Sequence, residues 1–196
     1  MATWINGNRY LSKSEMQNNA KIVHSYLTNR GWSINAISAL LGNMESESTI
    51  NPAIWQGLIE GSGGGGGYGL VQWTPYTNFT NWADSNGYAW DDGDAQLKWI
   101  DEVTSSFGQW IATDAYNLSF EDFKKSTQSV SWLASAFLKN FERAGVEVEE
   151  QRRSQANVWY SFLTGVTVDP ETPTPSTGKS KHLSKLLLFA VASDSI

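Results

Sequence analysis

Apolar side chains recur at helical spacing through most of the first 165 residues. The clearest run is Ile34, Ile37, Leu40, Leu41 and Met44, which fills one stripe of a helix turning about 100° per residue. Ser33 stands at its N-cap, and it must end before Pro52, because the residue ahead of a proline is driven out of the α region. Upstream, Ser12 with Glu15 three positions later is a capping box and predicts a helix over residues 13–30, stopped by Gly31. Downstream, LKWIDEVTSSF (97–107) predicts another, with Asp91, Asp92 and Asp94 at its positive N-terminus. Val130, Leu133, Ala134, Phe137 and Phe141 predict a helix over 128–143, and a last one covers 148–163 before Gly165.

The pattern breaks over residues 53–79. Five consecutive glycines (63–67) are followed by neither Lys-Ser/Thr nor a new helix, so a phosphate-cradling loop is excluded. The run 61–67 reads as a mobile, irregular surface loop. Leu70, Val71, Trp73 and Tyr76 predict short strands beside it. Asn6-Gly7 is a brief hairpin signal. After Gly165, three of the five prolines (170, 173, 175) mark a linker over 166–181, and residues 182–196 carry an apolar segment too short to span a bilayer. The expected organisation is a lead (1–12), one globular domain (13–165), the linker, and an apolar anchor segment (182–196).

Composition narrows the chemistry. The chain lacks cysteine, which removes disulfides, thiol nucleophiles and thiolate metal sites. His24 and His182 are far apart, and Asp91, Asp92 and Asp94 do not fit a calcium loop, since position 97 is Leu where glycine is required. No metal and no cofactor is expected. The formal charge is −6, with no basic cluster between residues 13 and 165, so no nucleic-acid recognition is expected. The first 15 residues lack the basic-then-apolar order of a secretion signal, which predicts a soluble chain without an export signal.

Two carboxylates close the second predicted helix in GNMESESTINP (42–52). On the helical wheel Glu45 and Glu47 fall on opposite borders of the apolar stripe, and periodicity does not choose between them. Burial and a helix C-terminus both raise a carboxyl pKa. A carboxylic acid that keeps its proton near neutral pH is what glycosidic cleavage needs as general acid. Glu142-Arg143 reads as a structural ion pair.

GNMxSESTINP, GLVQWTP (69–75) and Phe141-Glu142-Arg143 together resemble the phage tail lysozyme family over residues 8–165. These are peptidoglycan-cutting proteins at the tail tip of short-tailed phages of Gram-positive hosts. The resemblance implies an α+β, mainly α, lysozyme-like fold with a small β region beside a cleft. It also implies that the catalytic glutamate is the one within Ser-Glu-Ser, here Glu47, as proton donor. Tyr68, Gln72, Trp73 and Trp55 are the expected substrate-binding residues, the tryptophans offering apolar faces to sugar rings. A second carboxylate stays open among Asp84, Asp91 and Glu45, with a positioned water or the substrate's acetamido group as other routes.

The implied reaction is muramidase cleavage of the β-1,4 bond between N-acetylmuramic acid and N-acetylglucosamine in peptidoglycan glycan strands. A lytic transglycosylase acting on the same bond and a non-catalytic tail-tip plug are the alternatives. Implied partners are tail tube or knob proteins of the virion, docked through residues 182–196, with host-membrane contact by that tail as the second possibility. Some relatives carry a further peptide-cleaving domain with metal-binding histidines or a catalytic cysteine. That activity is not expected here.

Overall fold

The computed structural model describes residues 3–61, 65–143 and 148–166. Its elements follow the amphipathic pattern. Helix α1 (Lys13–Thr28) opens on the capping box, with Ser12 and Glu15 each satisfying the other's backbone N–H. Helix α2 (Ile34–Ser48) is capped by the Ser33 hydroxyl, which accepts from the Ala36 N–H at 3.0 Å. Then come a short 3₁₀ turn (Gln56–Leu58), α3 (Thr77–Asn86) and α4 (Gly93–Lys98). Helix α4 runs through a π-helical turn (Trp99–Val103) into α5 (Thr104–Phe107). After α6 (Phe120–Lys125) and α7 (Val130–Phe137), a second π-helical turn (Leu138–Glu142) precedes α8 (Glu149–Thr164).

Helix α2 is the axis of the molecule. It packs against α8, α7 and α1, and Ile37, Leu40, Leu41 and Met44 are fully buried. Gly42 lets α8 come close: a Cβ there would lie 2.6 Å from the Ala156 backbone nitrogen. Asn43 bridges three helices, donating to the Ala39 and Ala134 carbonyls and accepting from Arg152.

The pattern missed two helices. Both α3 and α6 lie in stretches rich in aromatic and polar residues, where packing rather than periodicity decides the state. The helix expected at 97–107 starts earlier, at Gly93, because the Asp92 carboxylate accepts from the Asp94 and Ala95 N–H groups. Asp94 and Asp91 accept from Trp4 and Asn6, so all three aspartates of that cluster brace the N-terminal lead or cap the helix.

The expected small β region does not form as strands among the described residues. Only isolated bridges pair Tyr68 with Trp55 and with Trp73, and Tyr76 opens onto α3 instead. Gly69 and Gln72, both at positive φ, fold GLVQW into a tight turn that leaves no run of extended backbone to pair. Nor is there a hairpin at Asn6-Gly7. That segment bends and is held by Asn51, whose amide donates to the Gly7 and Arg9 carbonyls.

The chain is mainly helical, and among the described residues no helix is long and apolar enough to cross a membrane. All but the first residue of the linker expected over 166–181, and the apolar segment 182–196, lie outside the described residues, as do residues 62–64 of the glycine-rich run. The end of that run is fixed backbone. Gly66 accepts from the Tyr76 N–H, and Gly67 exchanges hydrogen bonds with Gln56 at 2.9 Å each.

Candidate active site

Glu47 lies in the last turn of α2, and the residues after it explain the local motif. Ser48 donates to the Leu70 carbonyl at 2.8 Å, tying the helix end to GLVQW. Thr49 and Ile50 take left-handed backbone to end the helix (φ 53° and 56°). Asn51 then anchors the lead. Ser-Thr-Ile-Asn is therefore a bracket that fixes where Glu47 stands and what faces it.

What faces it is a cavity of about 420 Å³, the larger of the two described pockets. Its wall includes Glu47, Trp55, Gln56, Gln72, Trp73, Asn78, Gln109, Glu142 and Arg143. Four side-chain amides around two carboxyl groups make a lining suited to hydroxyl and acetamido groups, which both donate and accept.

The expected binding residues are not equivalent. Trp55 is half-buried at the cavity wall, backed by Tyr68 (centroids 4.6 Å) and Tyr76 (5.0 Å). Trp73 also lines the cavity, but it is only 3% exposed and stacked on Phe79, so it presents little open face. Gln72 reaches the wall with its amide donors committed to the Ile54 and Gly69 carbonyls, both at 3.1 Å. Tyr68 is buried behind Trp55 and does not line the cavity.

Glu45 points elsewhere. Its carboxylate accepts from the Trp159 indole at 2.7 Å and pairs with Lys13 at 3.5 Å. Asp84 accepts from Trp90, and Asp91 from Asn6. None of the three carboxylates proposed from sequence as a second group lines the cavity. The second carboxylate there is Glu142.

The expected Glu142–Arg143 ion pair does not form. Arg143 sits at positive φ (57°) after the π-helical turn, and its guanidinium donates to the Gln109 carbonyl at 2.8 Å. The Glu142 Oε1 is shut off from solvent, with no hydrogen-bond partner among the described residues. Burial pushes the Glu142 carboxyl well above the usual carboxylate range, and the Glu47 charge pushes the same way. Arg152 and Arg143 oppose both.

Glu47 is in the contrasting position. Its Oε1 is ion-paired with Arg152, a buried α8 residue whose guanidinium also donates to Asn43 Oδ1 at 3.1 Å. Two carboxyl groups thus share one cavity, one against a guanidinium and the other in an unpartnered pocket. Among the described residues no cluster could hold a metal ion.

A mainly helical domain that closes a polar cleft around two glutamates is consistent with a lysozyme-like protein. Comparison with known families agrees: the model of the phage tail lysozyme family matches residues 18–163, and the chain belongs to that family. It is also 48% identical over 158 residues to Morphogenesis protein 1 of Bacillus phage B103. The aligned part is 81% of this chain and 42% of that relative, so the chain spans less than half the relative's length. Family and relative together support a tail-associated, lysozyme-like protein of a phage particle.

Proposed function

We propose that this protein hydrolyses the β-1,4 bond between N-acetylmuramic acid and N-acetylglucosamine, opening the peptidoglycan of a Gram-positive host for the phage tail. The observation that carries this reading is the pair Glu47 and Glu142 in one cavity of a phage tail lysozyme chain. Acetal cleavage needs a carboxyl group that delivers a proton and an anion that offsets the oxocarbenium charge, and two differently placed glutamates supply both. Glu47 is the catalytic group singled out by its motif. Trp55 provides an apolar edge for a sugar ring. Gln56, Asn78 and Gln109 provide amides for its substituents.

Location at the tail tip and contact with tube or knob proteins extend the same reading, given the family and the phage morphogenesis relative. The test is digestion of purified Gram-positive cell walls, with mass spectrometry of the released muropeptides. Products ending in reducing N-acetylmuramic acid are expected. Anhydro-muramic ends would instead assign a lytic transglycosylase, and no released glycan would leave a structural role in the tail.

A further inference from the structure

The chain ahead of α1 is strapped to the end of α2 by the residues that follow Glu47. Asn51 donates to the Gly7 and Arg9 carbonyls at 2.7 and 2.6 Å, and the Leu11 N–H donates to the Thr49 hydroxyl at 2.9 Å. Asn8 ties the strap to the cavity wall, accepting from the Trp55 N–H and donating to the Leu58 carbonyl, both at 3.0 Å. Tyr10 thus lies between two fixed points. The side chains on either side of it are engaged: Arg9 pairs with Glu15 at 2.6 Å, and Leu11 is buried in the core. The Tyr10 ring is not. It is 62% exposed, stacks on no other aromatic ring among the described residues, and lines the same cavity as Glu47 and Trp55. A single exposed aromatic on an open surface needs no explanation, but one whose backbone is pinned at the wall of a ligand-sized cavity does.

We propose that Tyr10 is a further substrate-binding residue, a platform at the cavity rim on which the face of an N-acetylhexosamine ring stacks. This rests on the glycan-hydrolase reading above. A pyranose ring turns C–H groups to its faces and hydroxyls to its edge, so an aromatic platform takes the face while the cavity's side-chain amides take the edge. Trp73 is covered by Phe79 and Trp55 is half-buried, which leaves Tyr10 as the most open aromatic face of the wall. Tyr10 lies ahead of the matched family region, which begins at residue 18, and the bracket after Glu47 is what carries it to the site. Because Thr49 and Asn51 hold the strap, a sugar seated on Tyr10 keeps a fixed register with Glu47.

The test is Tyr10→Ala, read on soluble glycan strands from Gram-positive walls. Wild-type chain is first shown to release muropeptides, so that failure of the glycan-hydrolase reading is seen separately. The variant should then raise KM about 3- to 10-fold, the loss falling on KM rather than kcat, and melt near wild type because the exposed ring is not part of the core. Tyr10→Phe, which keeps the ring, should stay within about twofold of wild type. Placed in a Glu47→Gln background, Tyr10→Ala should weaken glycan binding in calorimetric titration by the same factor, with no turnover involved. Unchanged KM and binding in Tyr10→Ala would overturn the proposal. So would a loss in Tyr10→Phe equal to that in Tyr10→Ala, or a fall in kcat and melting temperature together, which would make Tyr10 a brace of the strap and not a sugar platform.

Discussion

Glu45 and Glu47 stand two positions apart and have different surroundings. The Glu45 carboxylate is tied to the Trp159 indole and to Lys13, away from the cavity, whereas Glu47 lines it. Glu47→Gln should therefore abolish muropeptide release, and Glu45→Gln should keep most of it, as read by turbidity loss of cell-wall suspensions. Equal loss in both would sink the assignment. Glu142 carries a second prediction at this scale, on stability. Its folded pKa lies above the ordinary glutamate value of 4.5, so between those two values the folded chain binds more protons than the unfolded one. Its contribution is therefore favourable at acid pH and is lost as pH rises towards neutral. Glu142→Gln should melt at or above wild type near neutral pH, with the difference closing below about pH 4.5. A lower melting temperature for the variant at neutral pH would contradict this.

The α2–α8 contact sets the geometry of the site, because α2 carries Glu47 and α8 carries Arg152. Gly42 is a point of close approach, with the Arg152 carbonyl and the Ala156 backbone less than 3 Å from any added Cβ. Backbone cannot rotate away as a side-chain tip can. Gly42→Ala should thus cost about 1–3 kcal/mol in urea unfolding and lower activity by parting Glu47 from Arg152. Unchanged stability would show that the two helices separate freely. The π-helical turn matters in a similar way. On an unbroken helix from Val130, Glu142 would sit about 120° from the apolar stripe and face solvent. The wider turn, closed by the Arg143 N–H on the Leu138 carbonyl at 2.7 Å, advances less per residue and brings Glu142 back to the cavity.

Across the whole molecule, the matched family region ends within α8, and α8 itself closes on Gly165 in left-handed backbone. A chain ended after Val166 should therefore melt like the full chain and keep the wall-cleaving activity proposed for it. If residues 182–196 dock the chain into the particle, the same truncation should be missing from assembled virions, as read by immunoblot of purified particles. Normal packaging would end the docking idea and favour membrane contact, and loss of activity in the truncated chain would place part of the catalytic unit beyond residue 166.

Amphipathic spacing and capping chemistry are local, so the sequence alone determined α1, α2, α8 and most of α7, down to the capping box at Ser12 and the stop at Gly165. Glu47 itself was singled out only by the resemblance of its motif to the family, because helical periodicity did not separate it from Glu45. Its bracket of Ser48, Thr49 and Asn51 is contiguous in the chain, although the partners it fixes, Leu70 and the Gly7–Arg9 lead, are not. Tertiary structure alone decided the rest. Arg152 is 105 residues from Glu47, and only the close approach of α8 at Gly42 brings them together. Whether Glu142 is a solvated acid or a buried one depends on a π-helical turn and on which groups surround it, and neither has a local sequence signal. A carboxyl group's character is set by its neighbours in space, and the order of residues along the chain does not list them.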